Sequence, residues 1–174
     1  MNRLKQTFLL ALLAALCAAA SANAQDTKAA AGDEKGKYQS IEVAPFTAQE
    51  GVEAPAELLK SLEADTLSEL RKTNKFKLVA AESSAAAAEP TVRVVGTVTK
   101  YKAGSRAKRY LVGFGAGKSK VIAHVKFMDK ESGRVLHEED VDGDVVMGLF
   151  GGDSGGATRE VGKAVAKAAR KKFF

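Results

Sequence analysis

The chain has 174 residues, 45% of them hydrophobic and 28% charged, with a net charge of +6. That is enough for one globular domain, and the mild basicity permits contact with anionic surfaces without demanding it. With no Trp, three Tyr and eight Phe, the interior must be mostly aliphatic, and one cysteine excludes an intrachain disulfide.

The first residues read as a secretory signal. Arg3 and Lys5 form a positive start, 8–20 is an apolar run, and Ala22-Asn23-Ala24 is a small-x-small cleavage site. The run is too short to span a bilayer comfortably, which disfavours a retained anchor. Cys17 lacks a lipobox, because Leu16 stands where a small residue is needed. Cleavage near Ala24 is expected, giving a periplasmic or secreted product with no cysteine. Loss of Arg3 and Lys5 lowers the net charge by two.

Residues 25–37 are rich in Ala, Gly, Lys and Asp and read as a disordered tether, leaving 38–174 as a single domain. A first strand is expected over 38–46, with Ile41, Val43 and Phe46, and a loop over 47–54. Pro55 opens a helix carrying Leu58, Leu59, Leu62, Leu67 and Leu70 at helical spacing, and Asn74 stops it. A second strand is expected at 76–79. A short helix or loop over 80–89 ends at Pro90. A third, alternating strand follows over 91–101, with Gly96 as a point of close approach.

Residues 100–120 hold seven cations and no acid. Tyr110, Leu111, Val112 and Phe114 sit within this segment among glycines. Residues 121–128 and 134–141 then form a hairpin around the turn at 129–133, and His124 should point away from the apolar face. A Gly-rich loop over 142–156 leads to a last helix over 157–172, with Ser154 or Thr158 as candidate cap. That helix has a small apolar face (Val161, Ala164, Val165 and Ala168). Its basic stripe of Arg159, Lys163, Lys167, Arg170 and Lys171 reads as an ordinary solvated face.

Together these elements predict an α/β (α+β) domain with a single mixed, mostly antiparallel sheet of about five strands and two main helices. Several stretches in order carry a resemblance. They are Val43-Ala44-Pro45-Phe46, residues 74–79, residues 94–98, residues 113–119 and residues 129–136. They resemble an uncharacterised bacterial envelope family known only as domain of unknown function 4410, over about residues 38–173. The layout is more loosely similar to periplasmic domains of the curli-secretion-lipoprotein and penicillin-binding-protein-activator group. The resemblance implies a fold and a compartment but no reaction. Members of that looser group are often lipid-anchored, and the missing lipobox sets this chain apart.

The chemistry motifs are incomplete. Gly117-Lys118-Ser119 lacks the first P-loop glycine, since position 112 is Val, and a strand pattern rather than a helix follows. Asp140, Asp142 and Asp144 suggest part of a calcium loop, but Val145 holds the glycine position and the closing Glu is missing. His124 and His137 have no cysteine beside them once the leader is gone, and no Gly-x-Ser-x-Gly elbow occurs. No cofactor and no metal are expected.

The expected function is therefore that of a non-enzymatic exported envelope protein that binds a protein partner, or assembles, through its basic Gly-rich loop. The candidate contact residues are Lys102, Arg106, Lys108, Arg109, Tyr110, Phe114 and Lys118: cations to attract anionic groups and aromatics to anchor an interface. Alternatives are peripheral binding to anionic envelope lipid or lipopolysaccharide, and a hydrolase with an unrecognised site. Export argues against nucleic acid as the partner, and a homo-oligomer fits the first reading.

Overall fold

A computed structural model describes residues 34–82, 90–103, 120–144 and 154–174. All described residues lie within one compact unit, 31–174.

The order is β1 (Ser40–Val43), β2 (Thr47–Ala48), α1 (Ala56–Lys72), β3 (Leu78–Ala81), β4 (Thr91–Lys102), β5 (Lys120–Asp129), β6 (Val135–Asp144) and α2 (Ser154–Phe173). The sheet runs β3-β1-β4-β5-β6, with β2 also beside β4. The pairings of β1 with β3 and of β1 and β2 with β4 are parallel, whereas β4–β5 and β5–β6 are long antiparallel ladders. This is the mixed sheet with two helices that the sequence predicts, with β2 as an added strand.

The expected first strand is split. Pro45 has no N–H to give to a ladder, so β1 stops at Val43 and β2 resumes at Thr47 along the same partner. The break uses one more residue on its own side than on β4. It drops Phe46 into the core, against Gly96.

The leucine spacing of α1 does what it predicts. Leu58, Leu62, Leu67 and Leu70 are buried and Leu59 is partly so. Burying each such side chain stabilises the fold by about 1.5–3 kcal/mol. Pro55 precedes the first turn, and Asn74 ends the helix in the left-handed region at φ 51°. The connection from β1 through β2 to the parallel strand β3 runs through α1, the crossover that a parallel pair needs.

α2 packs beside α1, with both helices on one face of the sheet. Val92, Val94, Val98, Val121, Val125 and Phe127 point into that layer and are fully buried. Gly162 lets the two helices touch, because a Cβ there would meet the Asp65 backbone. α2 starts earlier than the sequence suggests, so Thr158 is not a cap. It lies buried inside the helix and hydrogen-bonds the Asp65 carboxylate at 2.6 Å. α2 also runs one residue further, placing Phe173 in the core, where its ring meets Tyr38, Phe76 and Phe127 edge-on.

Residues 34–37, read above as part of the tether, form a turn on the domain. Glu34 is buried and pairs with Arg134 at 2.6 Å, and the Gly36 N–H donates to the Phe173 carbonyl. An ion pair and backbone bonds hold this turn, and the absence of large apolar residues did not reveal them.

Candidate functional site

Strand directions sort the molecule into two poles. β4 and β6 end at one pole, where β5 begins and from which both helices start. The other pole carries the turn at 130–134, the ends of both helices and the start of β1. The basic segment springs from the first pole. There β4 ends with Lys102 directly opposite Lys120 of β5. Lys102 is exposed. Arg106, Lys108, Arg109, Tyr110, Phe114 and Lys118 lie outside the described residues. Lys120 turns to β6 and pairs with Asp144 at 3.4 Å and Asp142 at 3.8 Å.

Lys120 belongs to a longer ladder on the sheet face away from the helices. Side chains alternate along a strand, so Glu138, Asp140, Asp142 and Asp144 of β6 form one row on that face. Their partners on β5 are Lys126, His124, Ile122 and Lys120 in register. His124 points outward as the sequence predicts, with Nδ1 2.8 Å from Asp140 Oδ1 and Nε2 3.5 Å from Glu138 Oε2. Lys126 stands 3.7 Å from Glu138. The row keeps an excess of acid, and the side chains of Asp140 and Asp142 are 71% and 66% exposed. The three aspartates thus serve as the acidic side of a charge ladder. Among the described residues no group of three or more His, Cys, Asp or Glu is arranged to hold a metal ion.

The outer face of the helix layer has the opposite sign. Arg159, Lys163, Lys167 and Arg170 are exposed along α2. The last three border a groove of about 320 Å³ between the helices, closed on the α1 side by Glu69, Lys72 and Thr73. Lys72 pairs with Glu69 at 2.6 Å and Lys163 with Glu160 at 2.7 Å. Lys167 and Arg170 make no ion pair among the described residues. The stripe was legible in the sequence. The groove was not, because it exists only once α1 lies alongside.

At the opposite pole the turn is built around Asp129. Its Oδ1 accepts hydrogen bonds from the Ser132 N–H at 2.8 Å, the Ser132 hydroxyl at 3.0 Å and the Glu131 N–H at 3.1 Å. The Ser132 N–H foremost, then the Tyr38 hydroxyl, hold the carboxyl well below its usual range, at about 2. The Gly133 backbone at φ 70° closes the turn. These groups are satisfied by one another, which marks a structural centre.

A family model described as a domain of unknown function, DUF4410, matches residues 19–148. No curated protein matches. Two solved structures of PelC dodecamers from Paraburkholderia phytofirmans are similar in fold. One is 14% identical and covers 80% of this chain and 92% of that one, at a TM-score of 0.53. The other is 16% identical and covers 76% and 87%, at 0.50. A lipoprotein from Neisseria meningitidis is 15% identical and covers 76% and 96%, at 0.43. At these identities the PelC likeness shows the fold alone. Among the described residues no helix is long and apolar enough to cross a membrane.

Proposed function

We propose that this chain, which belongs to the DUF4410 family of domains of unknown function, works by binding and assembly and not by catalysis. In this reading it is exported through the leader that ends near Ala24 and acts in the cell envelope. It associates with copies of itself there and offers the basic segment from Lys102 to Lys118 to an envelope protein.

One observation carries the reading. The β4–β5 ladder, the longest in the sheet, ends by setting Lys102 against Lys120. A segment with cations and no acid, carrying Tyr110 and Phe114, is therefore rooted at one pole of a rigid scaffold. Binding residues commonly sit on loops placed in this way. The incomplete P-loop and the lack of a Gly-x-Ser-x-Gly elbow in the sequence are in keeping with a non-enzymatic role. The fold likeness to PelC, which forms dodecamers, supports self-association.

The test replaces Arg106, Lys108 and Arg109 together by Glu and compares capture from envelope extracts with that of the unmodified chain. The expected result is loss of a specific captured protein. Unchanged capture contradicts the reading. Binding that needs only anionic vesicles, with no envelope protein, would move the assignment to anionic lipid or lipopolysaccharide.

A further inference from the structure

The two oppositely charged rows lie on opposite faces of the molecule. α2 covers one face of β5 and β6, and the acids of β6 point from the other, so the rows cannot meet within one copy. Their spacings nevertheless agree. Alternate residues on a strand recur about every 6.6 Å. Residues four apart on a helix recur about every 6 Å. Glu138, Asp140, Asp142 and Asp144 thus recur at nearly the interval of Arg159, Lys163 and Lys167, and Arg170 follows one residue sooner, about 4.5 Å beyond Lys167. Half-buried Ile122 and Met128 lie on the sheet face beside the acids, and no described element packs over them.

We infer that the acidic row of β6 in one copy receives the basic face of α2 from a second copy. This rests on the self-assembly reading above and names its interface. Two different surfaces meet, so the contact is head-to-tail and each added copy leaves both surfaces free at the ends. Such contacts close into rings or continue as filaments. The ladder to Lys120, His124 and Lys126 holds the acid side chains in a fixed row, in which four carboxylates of β6 face two lysines and one histidine of β5. Lys167 and Arg170, without partners among the described residues, are the main complements, and Arg170 can grip a carboxylate with two parallel hydrogen bonds.

The experiment uses charge reversal with mutual rescue. One variant carries Asp140→Lys and Asp142→Lys, and the other carries Lys167→Glu and Arg170→Glu. All four positions are exposed, and thermal melts verify that each variant folds as the unmodified chain does. Masses are measured by sedimentation for the unmodified chain, each variant alone and an equal mixture. The unmodified chain assembles. Each variant alone loses association by about tenfold or more, because like charges now face each other. The mixture regains it, since each reversed surface meets an opposite one on the other variant. An assembled unmodified chain whose variants assemble equally well overturns this interface and leaves self-assembly standing. Variants that both lose association without recovery on mixing also overturn it. An unmodified chain that stays monomeric overturns the self-assembly reading itself.

Discussion

Tyr38 donates a hydrogen bond of 2.6 Å from its hydroxyl to Asp129 Oδ2, across 91 residues of sequence. It ties the start of the domain to the turn between β5 and β6. With the Ser132 N–H it lowers the Asp129 carboxyl from 3.8 to about 2. Folding therefore favours the ionised form. The contribution is present above the unfolded value of 3.8 and is lost as pH falls towards about 2. Urea unfolding of the unmodified chain and of Asp129→Asn across that window should show a steeper acid loss in the unmodified chain. Parallel pH profiles for the two would contradict this role for Asp129.

Gly96 is a position where the strand has no room for a side chain. A Cβ there would press into the buried ring of Phe46. Gly96→Ala should destabilise the domain by about 1–3 kcal/mol, the usual cost of overpacking. Adding Phe46→Leu should return part of that loss, because the two changes act on one contact. Denaturant midpoints of the single and double variants check it; strictly additive losses would show that the ring is not the obstacle.

Phe173 closes the core at the far pole. It is fully buried, touches three other aromatic rings, and its carbonyl accepts the Gly36 N–H. Phe173→Ala should cost about 3–5 kcal/mol. Phe174→Ala should cost much less, since Phe174 is 38% exposed. Comparable losses from both would place the end of α2 differently.

The contrast between these phenylalanines shows what local sequence could tell. The leucines of α1 and the alternation in β4 and β5 are periodic, and period alone assigned their buried faces. Phe173 follows Arg170-Lys171-Lys172, so local pattern reads it as the frayed end of a polar helix. Its burial comes from Tyr38 and Phe127, far away in sequence. β2 is two residues long and has no period to detect. Glu34 reads as tether because its partner Arg134 lies 100 residues away. The basic segment was visible by composition, and the strand register then showed where it is rooted. The acidic row and the basic groove needed both registers and the α1–α2 packing before their charges could be placed on opposite faces.

The most direct test of assembly is the solution mass of residues 25–174, followed over a range of concentrations and at low and high salt. Species that are multiples of the monomer are expected, growing with concentration and weakened by salt, because exposed charges are screened. A mass that stays at one chain under every condition would contradict assembly.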